Sequence, residues 1–573
     1  MRAPLATLGV ALVLVTAGGP PSGVRLDAQT PPAPPAPGTA APERPKLVVI
    51  LSVDQFRRDY FDRYGKRWTG GLARLFRDGA RFTDSAYPYF HTITCAGHAT
   101  MSTGDFPVHA GLPLNAWWDR KTRRDVACTE DPGVENIGHK PGIIKQPPGG
   151  NSAHMLRVPA FADVLRGEIT PTPRVVTMSM KPRAAIMLAG HAGDAVIWYT
   201  PEGGPTTSTA YSSKPIPFVA KFAQMNPTKE ELTGDWTRML PASSYEHEDD
   251  GPGEHPPDGW KTTFPHALEG TRSDGRQVSY WQNTPYADAW LERLAKEAVD
   301  ELKLGRTQLD YLAISFSTLD TSGHGFGPDS HEAQDVLLRL DRTIGDLLDF
   351  LDNRIGKGRY VLALTGDHGV APVPERRLAD HLDAGRIDLK AMAGRIEDAL
   401  SARWGKATYI GKVVYTDIYF DTGIYERLEQ DPAAMAAVTD IIRKTPGISN
   451  VFRKDQVLAA AAAGDDEILT ALRLSYVPDR GGDLILVPRP YWMTSAAEGT
   501  THGTPQPYDR QVPLIFYGFG VKPGKYAGPA SPADIAPTLG AIVGVKMPKT
   551  DGTVLKDALA ASVPVPAPAA GTP

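Results

Sequence analysis

The sequence is poor in cysteine, because its 573 residues include only Cys95 and Cys128. Two thiols cannot build a cysteine-rich zinc site, so any metal bound by this chain must use histidine and carboxylate ligands. In an oxidising compartment the two cysteines can form one disulfide, and otherwise they are free, buried thiols. The sequence leaves both states open.

The chain also lacks an excess of basic charge. It has 61 Lys and Arg residues against 66 Asp and Glu, which gives a net charge of -5. A dedicated nucleic-acid partner is therefore not expected, since such proteins present a basic surface. The hydrophobic content of 41% and charged content of 22% are those of an ordinary globular protein.

No apolar run is long enough to span a bilayer. The apolar stretch 4–15 follows Arg2 and precedes small residues, which is the pattern of a cleaved export signal. We place a signal peptide at 1–28 and a Pro- and Ala-rich linker at 29–45. The mature protein is expected in the periplasm or secreted, with no membrane contact. The sequence does not determine its oligomeric state, although a monomer is favoured.

Three runs of apolar and β-branched residues each lead to a carboxylate. They span 46–53, 310–317 and 360–365 and are followed by Asp54, Asp320 and Asp367. Such runs predict strands buried on both faces of a parallel sheet, and open α/β sheets bind ligands at the carboxyl ends of their strands. Helical patterns at 285–302, 330–351 and 531–542 complete a layered α/β fold. Thr284-Pro285 predicts the cap and first turn of the first helix, Ser330 opens the second, and the stretch 531–534 resembles a capping box before the third.

Two regions interrupt the alternation of strands and helices, and we interpret both as insertions at the rim of the core. The first, 200–283, is rich in Gly, Pro, Thr and Trp. The second, 381–475, contains a predicted helix at 432–443 and one predicted strand at 412–420. The core then divides into 46–199, 284–380 and 476–560, followed by a disordered tail at 561–573.

The segment from Phe90 to Gly104 contains the candidate nucleophile, Thr94. Its pattern predicts a strand-to-helix turn in which Gly97 allows close backbone approach and the helix N-terminus offers N–H groups to an anion. His98 is expected to pack or hydrogen-bond beneath this turn. A threonine hydroxyl needs a base or a metal to become a nucleophile.

Three aspartates and three histidines cluster around the predicted strand ends. Asp320 and His324 lie four residues apart, and glycines at 323 and 325 permit a tight turn there. The mixed nitrogen and oxygen ligands are enough for two sites of a kind that zinc accepts. Each residue alone has an ordinary structural explanation, so residue types leave the two-metal site open. The six residues are Asp54, Asp320, His324, Asp367, His368 and His502.

Seven motifs, running from residue 46 to about 545, resemble the alkaline phosphatase superfamily. The resemblance is strongest to exported bacterial, phosphate-insensitive monoesterases with a threonine nucleophile. The motifs are S-V-D-Q at Asp54, T-x-T-C-A-G-H-A at Thr94, L-N-A-W-W-D at Asn115, S-M-K-P-R at Lys181 and Arg183, L-D-T-S-G-H at Asp320 and His324, G-D-H-G at Asp367 and His368, and T-H-G-T at His502.

This resemblance implies an alkaline-phosphatase-like three-layer sandwich, with a central, mostly parallel sheet between helices and two inserted cap regions. It implies hydrolysis of phosphate monoesters through a phosphothreonine at Thr94, with small monoesters as substrates. It also implies two Zn²⁺ ions. One would be held by Asp320, His324 and His502, and the other by Asp54, Asp367, His368 and the Thr94 oxygen.

The same resemblance makes Asn115, Lys181 and Arg183 the groups that bind the phosphoryl oxygens. Lys181 and Arg183 occupy alternate positions, which predicts an extended segment with both cations on one face. A monoester dianion carries one more negative charge than a diester, so two cations favour a monoester substrate.

Other functions remain as alternatives. A phosphodiesterase or nucleotide pyrophosphatase would share the metal ligands and the threonine, but Lys181 and Arg183 count against it. A sulfatase would require Cys-x-Pro-x-Arg, which is not present at Cys95, and a phosphoglycerate mutase relative would usually use serine. An inactive phosphate-binding surface protein is disfavoured because no expected ligand has been lost.

Overall fold

The apolar run before Asp54 forms the strand Leu47–Val53 in the computed structural model, and all seven of its residues are buried. This strand pairs in parallel with Asp310–Phe316 on one side and Tyr360–Gly366 on the other. Its alternate side chains join apolar cores on opposite faces of the sheet. The burial on both faces explains why the run lacks a polar alternation.

The structure describes residues 44–561 and 563, apart from 140–148, 201–203, 269–276, 462–463, 465 and 495–498. The predicted signal peptide, the linker up to residue 43 and the tail from residue 564 lie outside the described residues. Among the residues that are described, no helix is long and apolar enough to cross a membrane.

The central sheet contains ten of the described strands, and the five strands at its middle are all parallel. From one edge to the other the strands are Gly524–Ala530, Ala80–Ser85, Leu514–Gly518, Tyr360–Gly366, Leu47–Val53, Asp310–Phe316, Val175–Ser179, Ala195–Thr200, Gly204–Ser208 and Asn136–Gly138. Each antiparallel pair includes at least one strand outside these five. The sheet is therefore mostly parallel at the centre, where the three carboxylates follow.

Helices cover both faces of the sheet and form the three layers that the family resemblance implies. One face carries Tyr60–Tyr64, Gly71–Asp78, Pro217–Met225, Gln277–Gln282, Pro285–Glu301 and His331–Leu351. The other carries Thr94–Thr103, Phe161–Glu168, Pro182–Ala189 and Ile535–Val543. Burial of an apolar face from each layer against the sheet holds these layers together.

Helix starts follow the sequence signals in two of three cases. The Ser330 hydroxyl accepts a hydrogen bond from the Ala333 N–H, which caps His331–Leu351. Ser531 and Asp534 form the expected capping box. Thr284 precedes Pro285–Glu301 as expected, but its hydroxyl donates to the carbonyl of Trp281 instead of capping the helix.

The first predicted insertion, 200–283, is only partly peripheral. Its strand Gly204–Ser208 pairs with the central sheet, and its Trp236, Trp260 and Trp281 are buried in the main core. The short ribbon of Asp235–Trp236 and His266–Ala267 lies in the same region. The large aromatic side chains explain the difference, because they bury enough apolar area to become part of a helix layer.

The second predicted insertion, 381–475, has its own sheet and apolar core. The predicted strand at 412–420 is wrong, because the structure forms a hairpin of Ile410–Val414 and Asp417–Phe420 that turns at Tyr415. The region also continues beyond residue 475, since its last strand is Leu484–Pro488. Its other elements are Leu389–Trp404, Ile424–Gln430, Pro432–Arg443, Ile448–Arg453, Lys454–Leu458 and Glu467–Ser475.

Asp341 fixes the start of the helix Gly71–Asp78 from a distant part of the chain. Its buried carboxylate accepts hydrogen bonds from the N–H groups of Thr69 at 2.8 Å, Gly70 at 2.6 Å and Ala73 at 3.1 Å. We expect Asp341→Ala to lower the free energy of unfolding by about 3 kcal/mol, because three N–H donors lose a charged acceptor. Urea unfolding measures this loss.

The matched control is Asp349→Ala on the same helix as Asp341. Asp349 is 78% exposed and makes an ion pair with Arg74 at 3.3 Å. Its removal should change the free energy of unfolding by no more than about 0.5 kcal/mol. Equal losses in the two variants would contradict the role given to Asp341.

Candidate active site

Strand register brings three aspartates to one edge of the sheet. Val53 lies opposite both Phe316 and Gly366 in the neighbouring parallel strands, so the three strands end at the same level. Asp54 and Asp367 come directly after two of these strands, and Asp320 lies in the first turn of the helix after the third. All three side chains are buried. The aspartates therefore converge as the apolar runs predict.

Asp320, His324 and His502 form a first cluster. The nitrogen Nε2 of His324 lies 3.2 Å from Asp320 Oδ1, and Nε2 of His502 lies 3.6 Å from the same oxygen. The tight turn that the two glycines permit is not formed, because residues 320–324 lie in the helix Thr318–Phe326. Positions four apart on a helix share one face, which brings the carboxylate and the imidazole together.

Asp54, Asp367 and His368 form a second cluster. The nitrogen Nε2 of His368 lies 3.3 Å from Asp54 Oδ1 and 3.3 Å from Asp367 Oδ2. In each of the two clusters, one potential ligand atom per residue lies within 4.8 Å of the others. The rings of His368 and His502 stack at 3.5 Å between centroids, so the two clusters are adjacent.

Backbone carbonyls fix the orientation of all three imidazoles. In each ring Nδ1 lies 2.9 Å from a carbonyl oxygen, which can only accept a hydrogen bond, so Nδ1 carries a proton. In the neutral ring, Nε2 then presents a lone pair to the carboxylates of its cluster. This is the arrangement of histidine ligands in metal sites. The pairs are His324 with Thr500, His368 with Gly369, and His502 with Thr92.

The Nε2 lone pairs and the carboxylate oxygens that they face repel each other unless a positive charge lies between them. Asp54 Oδ1 and Asp367 Oδ2 are buried and have no hydrogen-bond partner. Burial lowers the pKa of His324 and His368, but the adjacent carboxylates outweigh it and the pKa of both rings is raised. Burial and the neighbouring His368 hold the pKa of His502 well below its usual value. Both clusters fit a metal ion that accepts mixed nitrogen and oxygen ligands, as zinc does.

Lys181 lies between the two clusters. Its ammonium contacts one oxygen of Asp54 and one of Asp320, so a single positive charge joins both clusters. The predicted extended segment is wrong: Lys181 ends an extended stretch, whereas Arg183 lies in the first turn of the helix Pro182–Ala189. The proline between them starts the helix, because its fixed φ suits a first helical position.

Thr94 is the first residue of the helix Thr94–Thr103 and is buried. Its hydroxyl oxygen lies 3.4 Å from Nε2 of His368 and 3.5 Å from a terminal nitrogen of Arg183. The residues just before it form a loop, not the predicted strand. The hydroxyl therefore lies beside the second cluster and next to a guanidinium group.

The helix of Thr94 packs very closely against the end of the sheet. A Cβ atom on Gly97 would lie 2.1 Å from the carbonyl oxygen of Asp367, so only glycine fits, as the sequence predicts. His98 is buried beneath the turn, with Nδ1 2.9 Å from the Thr94 carbonyl and Nε2 2.8 Å from the Ser315 hydroxyl. These contacts hold the start of the helix in place.

Asn115 is held next to the same helix. Its side-chain oxygen accepts a hydrogen bond from the Cys95 N–H at 2.8 Å, which leaves the amide nitrogen as a donor. That nitrogen lies 3.4 Å from the Tyr415 hydroxyl.

Cys95 and Cys128 form a disulfide, which resolves the alternative that the sequence leaves open. The bond ties the helix to the chain that follows Asn115.

Sequence reasoning missed Gln55, which links the two clusters. Its N–H donates to Asp367 Oδ1 at 3.1 Å, and its side-chain amide donates to Asp320 Oδ1 at 3.0 Å. The residue is buried and has a positive φ of 67°, which costs energy for a residue other than glycine. In the sequence it is the last residue of the motif S-V-D-Q, and no pattern there indicates its link to Asp320.

Sequence reasoning also missed the buried pair of His91 and Asp417. Nε2 of His91 lies 2.9 Å from Asp417 Oδ2, and both side chains are almost inaccessible to solvent. The pair connects the segment before Thr94 to the second inserted region. No local pattern predicts it, because the two residues are 326 positions apart.

Comparisons with known proteins show which proteins this chain is similar to. The family model for type I phosphodiesterase / nucleotide pyrophosphatase matches residues 48–511. Alkaline phosphatase PhoV of Synechococcus elongatus is 33% identical over 524 residues, which cover 90% of this chain and 93% of that protein. A protein of Myroides odoratus named calcium-transporting ATPase is 31% identical over 531 residues, covering 90% and 95%.

The fold is also that of a solved relative. The crystal structure of wild-type alkaline phosphatase PafA matches with a TM-score of 0.84 and 28% identity, covering 91% of this chain and 100% of that chain. The PafA sequence of Elizabethkingia meningoseptica is 29% identical over 519 residues, or 89% of this chain and 93% of that protein. The expected alkaline-phosphatase-like α/β fold is confirmed.

Proposed function

The chain belongs to the type I phosphodiesterase / nucleotide pyrophosphatase family of the alkaline phosphatase superfamily, and from this premise we propose that it is an alkaline phosphatase that hydrolyses phosphate monoesters. Relatives named alkaline phosphatase, at 27–33% identity over most of the chain, support the monoesterase assignment. The observation that carries the proposal is the convergence of the Thr94 hydroxyl, the Arg183 guanidinium and two clusters of metal-type ligands.

We propose that each cluster holds one zinc ion and that the Thr94 oxygen completes the second site. The support is the donor chemistry of the clusters: oriented imidazole lone pairs and buried carboxylate oxygens without hydrogen-bond partners. When bound, such ions lower the pKa of a hydroxyl group and stabilise charge on the phosphoryl oxygens.

Within this proposal, Thr94 is the nucleophile. Its Oγ1 gives up its proton and forms a bond to phosphorus while the bond from phosphorus to the ester oxygen breaks, and the departing oxygen takes up one proton to leave as the alcohol. Water then attacks the phosphothreonine, which releases inorganic phosphate and restores the hydroxyl. Placement of Oγ1 at the N-terminal end of a helix directs N–H groups towards the negative charge of the phosphoryl group.

Arg183 and Asn115 are proposed to bind the phosphoryl oxygens, and Lys181 supplies a further positive charge. Phosphoryl transfer depends mostly on position and electrostatics, because its transition state is loose. A guanidinium beside Thr94 favours the dianion of a monoester over the monoanion of a diester. Diester or pyrophosphate hydrolysis is the second candidate, and the family model favours it.

Export to the periplasm or the medium is also part of the proposal. It is supported by the apolar, signal-like pattern at 4–15 and by the disulfide of Cys95 and Cys128, since disulfides persist in oxidising compartments. The monomeric state and the division of the core by two insertions stay predictions.

Thr94→Ala should reduce monoester turnover at least about 10³-fold, because the attacking oxygen is removed. Thr94→Ser keeps the hydroxyl and should retain measurable turnover. Release of inorganic phosphate from a simple aryl phosphate measures both rates, and zinc analysis of the same samples tests whether metal is retained. A loss of less than tenfold in Thr94→Ala would rule out threonine attack.

Arg183→Ala should slow monoester hydrolysis about 10²-fold and diester hydrolysis less than about tenfold, because the diester lacks the second negative charge. The measurement is kcat/KM on an aryl phosphate and on the corresponding diester. Arg123→Ala, which removes a surface arginine paired with Asp421, is the control and should leave both rates unchanged. Equal losses on the two substrates in Arg183→Ala would contradict the monoester preference.

Removal of metal by a chelator should abolish activity, and added Zn²⁺ should restore it while Mg²⁺ alone does not. His324→Ala should lower the zinc content of the purified protein, since it removes a ligand of the first cluster. His191→Ala is the control, because His191 is 43% exposed, contacts Asp163 and belongs to neither cluster. Recovery with Mg²⁺ alone would show that the metal assignment is wrong.

A further inference from the structure

The second inserted region reaches the candidate active site through one hairpin. Its strands Ile410–Val414 and Asp417–Phe420 turn at Tyr415, which adopts a positive φ of 53°. A residue other than glycine in this conformation is held there by its surroundings. The turn places the Tyr415 hydroxyl 3.4 Å from the side-chain nitrogen of Asn115.

The tip of this hairpin is fixed against the segment that carries the proposed nucleophile. Thr416 Oγ1 lies 3.2 Å and Asp417 Oδ2 lies 2.9 Å from Nε2 of His91, three residues before Thr94. The Tyr415 side chain also packs against the small apolar cluster that contains Ile93. Tyr415 therefore has a defined position relative to Thr94.

The hairpin also packs on the strands that follow Asn115. A Cβ atom on Gly411 would lie 2.7 Å from the indole nitrogen of Trp118, and Lys412 pairs with Asp125 at 3.1 Å. Trp118 and Asp125 are paired residues of the ribbon Ala116–Asp119 and Arg124–Ala127. Contacts with the segment before Thr94 and with the ribbon after Asn115 therefore hold the Tyr415 hydroxyl next to the Asn115 amide.

The amide of Asn115 has a single orientation in this setting. Its oxygen accepts from the Cys95 N–H, so its nitrogen offers two protons on the other side. The Tyr415 oxygen can accept one of them. A separation of 3.4 Å is at the long end for such a bond, as is common in active sites before a substrate binds.

We propose that Tyr415 is a positioning residue for Asn115. By accepting one amide proton, its hydroxyl fixes the amide plane so that the second N–H points to an oxygen of the bound phosphoryl group. The inference rests on the proposed function, because it takes Asn115 as a phosphoryl ligand. It gives the second inserted region a direct part in phosphate recognition.

Tyr415→Phe removes only the hydroxyl and tests this role. We expect kcat/KM for an aryl phosphate to fall about 3- to 10-fold and the dissociation constant of inorganic phosphate to rise by a similar factor. The melting temperature should stay the same. Tyr425→Phe is the matched control, since its hydroxyl contacts Asp455 in the same inserted region, and it should change neither quantity.

A double-mutant cycle with Asn115→Ala separates a positioning role from an independent contact. If Tyr415 acts through Asn115, Tyr415→Phe should cause no further loss beyond about twofold in the Asn115→Ala background. Losses that multiply would overturn the inference. So would values for Tyr415→Phe that equal those of the wild-type protein in both assays.

Phosphate binding also separates this inference from the proposed function. Isothermal titration with inorganic phosphate needs no turnover. If the wild-type protein does not hydrolyse monoesters but Tyr415→Phe still weakens phosphate binding, the proposed function fails and the positioning role stands. If the wild-type protein is a monoesterase and Tyr415→Phe leaves phosphate affinity intact, only the positioning role fails.

Discussion

Three buried carboxylates within reach of one another are the constraint on which the candidate site depends. Asp54, Asp320 and Asp367 follow three adjacent parallel strands. Because these strands are paired in register and end at the same level, the three carboxylates are held close together. Burial and the charge of Asp54 raise the pKa of Asp367 well above its ordinary range. Like charges this close, away from water, persist only with positive charge among them. The Lys181 ammonium and the oriented imidazoles are the chain's own contribution to that balance.

The remaining parts of the site hold a nucleophile against these charges. Gly97 lets the first turn of its helix touch the backbone of Asp367, and His98 fixes that turn from beneath. The disulfide and the Asn115 side chain secure Cys95, the next residue in the helix. Thr94 is therefore positioned by neighbours on several sides, which lowers the entropy cost of bringing it to a substrate.

The sequence predicts those parts of the molecule that local patterns determine. Apolar runs identify the three central strands, and the carboxylates follow because a strand end is a fixed place in an α/β sheet. The helix through Asp320 and His324 is not predicted, since its two glycines also suit a turn. Gln55 and the Tyr415 hairpin depend on contacts with residues more than 250 positions away, which no short window of sequence contains.

The buried pair of His91 and Asp417 makes the second inserted region inseparable from the core. A polar pair with almost no solvent access leaves an uncompensated group if either partner is taken away. A lobe taken from another protein would therefore have to supply a partner for His91. Without one, the transplanted lobe would leave the His91 imidazole buried with no carboxylate beside it.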